Sequence, residues 1–472
     1  MKNKISLYLL ATFLFAIVAL LLKIPPVVIS KVVLLGLFLS LIQVQDLCQH
    51  CYKLSFLFFL IVFSLKLIQY EFYISTGFDL GIFSNILFNI SHHGKIFDGL
   101  NQVHGFSGHI WPGAFLIAPS MILWNDPRVL LLIQTIAISM IFPVTCMLVR
   151  QMKIERKYVN SLLIILIFNI YLHWVSAFDF HPETITMPML LLGIWMLNEG
   201  RFGILCLLML ISMSFKEDVF LAWLSLGVYF LLIGRKKEGI KIVLPSVLYS
   251  IIVVFLILKF VNIKMMMSLH YSGNFNILKR IKPTLEFFTS FGFLPVVSVK
   301  EIPVYFIPFL EHISSSRPLH YKLKCQYSAL LIPLVTYASL KVLNGRKISR
   351  KTLLFFTTIA VLFSINEGPV KKYINFSRLN LRKKIYLDTL IKEIPDNMKL
   401  SVGNHISPHL STRDGVYQFP IIKDAEMIIV DTTWHDFTPV SLDSGLKTLS
   451  KVISSGKFKL VSDSMGVMVL MR

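Results

Sequence analysis

The sequence predicts a polytopic α-helical membrane protein with a small α/β domain at its C-terminal end. Three observations carry that prediction. The 472 residues are 55% hydrophobic and only 15% charged, a balance foreign to soluble domains. Apolar runs close to the length of a bilayer alternate with short basic clusters. After residue 366 the apolar character falls, and short strand-like runs replace the long ones.

Apolar runs at 5–22, 30–45 and 54–70 predict three N-terminal spans, so residues 1–70 form the first segment. Met1-Lys2-Asn3-Lys4 precedes the first, and no small-residue cleavage site follows it, which predicts a retained anchor. Residues 71–127 read as a large first outer loop. Within it Pro112–Trp124 is too short to cross and reads as a helix lying on the membrane surface. The returning span is 128–149. The core to residue 366 then adds runs at 158–176, 183–198, 202–215, 219–233, 240–260, 326–343 and 352–366. Residues 284–313 either make a hairpin of two short spans or stay outside, so the prediction is 11–13 transmembrane helices.

Basic clusters orient the bundle: Arg150, Lys153, Arg156 and Lys157; Arg235, Lys236, Lys237 and Lys241; Arg346, Lys347, Arg350 and Lys351. All three fall on the cytoplasmic side with this span count, as the positive-inside rule requires. Much of the formal net charge of +21 sits in such runs, which points to anionic headgroups and not to nucleic acid. The protein is therefore expected in the cell's inner (plasma) membrane. Residues 367–472 are expected as an extracytoplasmic α/β domain, with helices at 379–394 and 441–454 and strands at 399–403, 427–431, 458–462 and 467–471.

Cys48, Cys51, Cys146, Cys206 and Cys325 imply no disulfide framework. Cys48-Gln49-His50-Cys51 has a metal-like spacing but no second ligand pair, and reads as a turn.

Three polar knots interrupt the apolar chain, and the span count places all three at the outer side. Ionisable groups at membrane depth usually face a cavity or one another. Asp79, in Phe78-Asp79-Leu80-Gly81, is either a general base for an acceptor hydroxyl or the cap of a helix starting near Ile82. In Phe178-Asp179-Phe180-His181-Pro182-Glu183, proline and glutamate suit the first turn of a helix. Asp179, His181 and Glu183 also suit proton transfer or a divalent cation. In Lys216-Glu217-Asp218 the charges complement two helix ends, or the lysine meets a phosphate. His92, His93, His104 and His109 crowd the first loop in no standard zinc spacing.

These same motifs, with Ser401-Val402-Gly403-Asn404, Pro408-His409-Leu410-Ser411-Thr412-Arg413 and Phe419-Pro420, resemble the predicted membrane protein family called domain of unknown function 2079. The resemblance runs from about residue 70 to the C-terminus. Through that family the chain resembles the C-type glycosyltransferase superfold, whose members use lipid-phosphate sugars and carry an acidic residue in a large first outer loop. The resemblance implies a polyprenyl-phosphate-linked sugar donor, held among membrane lipids, and an extracytoplasmic acceptor. It implies Asp79 as the catalytic base and Lys216 at the departing phosphate. Asp179, His181, Glu183, Glu217, Asp218 and His109 would bind substrate, with a divalent metal ion as the candidate cofactor. An inverting displacement follows. The alternatives from the residues themselves are a lipid or glycan transporter, an envelope assembly factor, or a structural subunit.

Overall fold

The computed structural model describes residues 11, 12, 14, 26–261, 271, 273, 275–345, 348–368, 370–373 and 378–472. The expected span at 5–22 falls largely outside the described residues, as do Arg346, Lys347 and the side chain of Lys157. The chain divides into two compact units. One comprises Met1–Val62, Thr135–Phe178 and Pro182–Ile374; the other comprises Phe63–Gln134, Asp179–His181 and Asn375–Arg472.

The first unit is helical. Among the described residues of the chain, three helices are long and apolar enough to cross a membrane: Leu47–Glu71, Arg128–Gln151 and Lys236–Phe260. Two bent pairs raise the number to five. Tyr158–Phe168 and Ile170–Ala177 meet at 44°, and Pro318–Ser328 and Leu331–Gly345 at 78°. Most other expected spans are helices too, but short ones. Phe202–Met213 and Val219–Leu232 have 12 and 14 residues, or roughly 18–21 Å at 1.5 Å per residue. The reason is polar interruption. Asn169 breaks the run at 158–176: its Oδ1 accepts from Tyr171 N and Leu172 N, both at 3.0 Å, while Nδ2 donates to Ser290 O at 3.1 Å. Lys236–Phe260 exposes Leu244, Leu248, Ile251, Phe255 and Leu258 along its length, as a lipid-facing helix does. The five cysteines are free.

The second unit holds the α/β domain. Its five-stranded sheet has the order β4-β3-β5-β7-β6. These strands are β3 (Leu400–Val402), β4 (Val416–Gln418), β5 (Met427–Asp431), β6 (Lys459–Ser464) and β7 (Val467–Met471), following a two-stranded hairpin of β1 (Phe97–Asp98) and β2 (Val103–His104). β4, β3 and β5 run parallel, and β7 and β6 are antiparallel neighbours. Alternation along β5 divides the core. Met427 and Ile429 pack with Leu387 of the helix Leu381–Glu393, and Ile428 and Val430 with Leu449 and Val452 of the helix Leu442–Ser454.

The first loop and the tail, expected as separate segments, share this unit. Tyr73 and Leu100 enter the same apolar cluster as Leu387. Tyr73 Oη donates to Asp388 at 2.9 Å, Asn85 Nδ2 to Ser411 O at 2.8 Å, and Gln418 N to Leu100 O at 2.9 Å. The run Pro112–Trp124 forms two short helices, Ala114–Ile117 and Pro119–Leu123, with Leu116, Ile122 and Leu123 exposed.

Candidate active site

Asp79 rides on a wide helical turn, Gly77–Gly81, in which Gly81 N reaches back five residues to Thr76 O at 3.2 Å. Such one-turn widenings recur at functional sites. Close packing fixes this one. Gly77 N donates to Asn404 O at 2.6 Å, and Phe78 N to Asn404 Oδ1 at 3.0 Å. A Cβ on Gly77 would stand 1.8 Å from Ser407 Oγ, so only glycine fits the approach.

The carboxylate so placed does not cap a helix. The helix Ile82–His93 begins at Gly81 without a side-chain cap, and Asp79 Oδ1 lies 3.2 Å from His181 Nε2. His181 is buried, whereas the Asp79 side chain keeps 18% of its surface open. At that distance the buried imidazole can hold one carboxylate oxygen and so orient Asp79. Aromatic rings set the imidazole. Phe83 stands edge-on to His181 at 5.2 Å and to Phe180 at 5.6 Å. His109 joins the group by ring contact, its centroid 5.9 Å from that of His181.

Asp179 is part of the same unit and is bonded to Thr76. Its Oδ2 accepts from Thr76 N at 2.8 Å and Thr76 Oγ1 at 2.9 Å, tying the start of the wide turn. Burial pushes the Asp179 carboxyl up from its ordinary range and the Asp79 charge adds to this, while the Thr76 amide and the Lys66 ammonium oppose it. Lys66, 1% exposed, is a group that the sequence reading missed. Its signal was there: a lone lysine inside an apolar run is itself a pointer to function.

The remaining expected residues form a second cluster, in the first unit. Lys216 Nζ lies 2.6 Å from Asp218 Oδ2 and 3.4 Å from Glu183 Oε1. All three side chains are largely buried. Burial alone would depress the Lys216 ammonium, but the carboxylates of Asp218, Glu183 and Glu217 outweigh it and hold the group well above its ordinary value. Asp218 starts the helix Val219–Leu232 without a side-chain cap bond, since its carboxylate turns to Lys216. Glu183 sits in the first turn after Pro182, as the helix-dipole reading expects.

The run 179–183 thus sends its three ionisable groups to different partners: Asp179 to Thr76, His181 to Asp79, and Glu183 to Lys216. The loop histidines disperse likewise. His92 contacts Ser91 and Phe88, His93 bonds Asp414 at 2.9 Å, and His104 Nδ1 accepts from Phe106 N at 3.1 Å. Among the described residues, the three metal-capable side chains whose ligand atoms converge lie elsewhere, at Glu311, His312 and His320.

No curated protein matches the chain. Among solved structures, that of ArnT from Cupriavidus metallidurans bound to undecaprenyl phosphate is similar, with a TM-score of 0.51 and 10% identity. The likeness covers 88% of this chain and 97% of that one. At such identity it is a likeness of fold, and it bears out the resemblance to the C-type glycosyltransferase superfold at that level. Residues 69–279 and 267–469 match the family described as predicted membrane protein, DUF2079, and with so much of its length matched the chain belongs to that family.

Proposed function

We propose that the chain is a membrane glycosyltransferase that moves a sugar from a polyprenyl-phosphate donor to an extracytoplasmic acceptor, with inversion. The Asp79–His181 pair carries the reading, and the fold shared with a protein bound to undecaprenyl phosphate supports it. Asp79 Oδ2 takes the proton of the acceptor hydroxyl while His181 Nε2–H holds Oδ1 in place. The acceptor oxygen bonds to the anomeric carbon from the face opposite the phosphate. The C–O bond to phosphate breaks, and its electron pair leaves with polyprenyl phosphate. Lys216 is the candidate for the phosphate; Asp218 and Glu183 now share its ammonium, so meeting a phosphate requires exchange of a carboxylate partner. Asp179, Glu217 and His109 act as positioning groups.

By the basic clusters, Asp79, His181 and the tail belong to the outer face, with 11–13 spans in the inner (plasma) membrane. Cysteine labelling of position 104 in intact cells tests that placement. Labelling only after permeabilisation contradicts it.

The catalytic reading is tested by complementation. Asp79→Asn keeps the size and removes the base, so a surface-glycan phenotype of the deletion strain should return at normal protein level, with activity down roughly 10²–10⁴-fold. A fully active Asn variant at normal abundance overturns the assignment. The second reading, a lipid or glycan transporter, is favoured by the two bent helix pairs, a feature of transporter cores. It predicts that Asp79→Asn leaves function intact.

A further inference from the structure

We infer that Glu311, His312 and His320 form a binding site for a divalent transition ion of the zinc class. The three residues come from neighbouring pieces of one unit, Phe306–Ser314 and Pro318–Tyr321, and their ligand atoms all lie within 4.8 Å of one another. His312 and His320 are buried, and Glu311 is half-buried.

The surroundings favour a cation. The His312 and His320 rings stand edge to face with centroids 5.3 Å apart, so two imidazoles address one space. The Tyr327 ring packs on both, its centroid 3.8 Å from that of His320 and 6.1 Å from that of His312. His312 Nδ1, buried, lies against the Glu311 carboxylate. Two nitrogens and one carboxylate match zinc-like ions and suit neither calcium nor magnesium, which take oxygen shells. Three protein ligands leave a fourth position for water or a substrate oxygen.

The sequence hides the site because Glu311-His312 and His320 are separated by a proline-containing turn at Arg317-Pro318 and follow no standard spacing. An ion here would clamp the two short helices together.

The test uses the full chain, purified in detergent and stripped with a chelator, with Co²⁺ alone as the probe and Zn²⁺ as the competitor. The expected result is one Co²⁺ per chain, with the visible absorption of four-coordinate cobalt, displaced by Zn²⁺. His312→Ala and His320→Ala should each weaken binding by more than the 10–100-fold typical of an outer partner. Glu311→Gln, at a half-buried position, is the variant to read if a histidine variant fails to insert. Wild-type protein that holds no Co²⁺, or a folded Glu311→Gln or His320→Ala protein that binds as wild type does, overturns the inference. Because the readout is metal content, it stands or falls separately from the transferase proposal.

Discussion

Replacing Gly77 with alanine tests whether close packing at the wide turn positions Asp79. The new Cβ would lie 1.8 Å from Ser407 Oγ, 3.0 Å from Ser407 Cβ and 2.5 Å from Gln418 Oε1. Overpacking of this kind costs about 1–3 kcal/mol. Ser407 Oγ must also leave Gln418 Oε1, now at 2.8 Å, for a further cost of about 1 kcal/mol. The expected loss is therefore about 2–4 kcal/mol. It should appear as a lowered temperature at which half the purified protein stays soluble. Activity should fall further than stability explains, since a shift of about 1 Å in a catalytic group can cost 10²-fold. Adding Ser407→Gly removes two of the three clashing atoms and should recover part of both losses. A Gly77→Ala protein within about 0.5 kcal/mol of wild type, the range of an indifferent surface change, refutes the close-packing argument.

Lys216→Met strands Asp218 and Glu183 in a buried setting and should cost about 3–5 kcal/mol, read as lost membrane abundance. Lys216→Met with Asp218→Asn should recover part of it, and no recovery would contradict the ion-pair account. Two buried groups of the second unit oppose each other in acid. Burial holds His409 down to about 4, so its neutral form stabilises the fold above its ordinary value of 6.5, and that contribution is lost as pH falls from about 6.5 to 4. Burial lifts Asp98 to about 6, so its protonated form favours the fold in acid, and that contribution is lost as pH rises from about 4 to 6. Asp98→Asn should therefore steepen the loss of stability on acidification, and His409→Gln should reduce it, in thermal stability measured from pH 4 to 7. Equal slopes in all three proteins contradict both assignments.

Much of the tail was legible in the sequence. β5 and β7 fall at the residues expected, Met427–Asp431 and Val467–Met471, because buried strands there read as unbroken apolar runs between turns. The helices Leu381–Glu393 and Leu442–Ser454 lie within a residue or two of expectation. β4 was not read: Val416–Gln418 is only three residues long and follows Gly415 at φ 70°, too brief for a periodic signal. In the helical unit the apolar runs were visible, but their breaks were not. Asn169 reads as one polar residue in an apolar run, and only its bonds to Tyr171, Leu172 and Ser290 show why the helix stops there.

For the candidate site, the polar knots stood out against an apolar chain, and Asp79 with His181 meet. What the sequence cannot carry is partner choice over long separations. Asp79 and His181 are 102 residues apart, and nothing local says that Glu183, two residues beyond, joins Lys216 instead. Lys66 was overlooked because a single charge does not disturb an apolar run, and Glu311, His312 and His320 because their spacing is not a known motif.

The central claim, that this chain cleaves a polyprenyl-phosphate sugar with Asp79 as base, is tested most directly by donor cleavage in vitro. Purified protein in lipid nanodiscs is given a polyprenyl-phosphate-sugar fraction and an envelope extract as acceptor, and release of polyprenyl phosphate is followed. The account predicts release by the wild type, a product of inverted anomeric configuration, and a rate roughly 10²–10⁴-fold lower for Asp79→Asn. Release at the wild-type rate by Asp79→Asn, or a product of retained configuration, would contradict it.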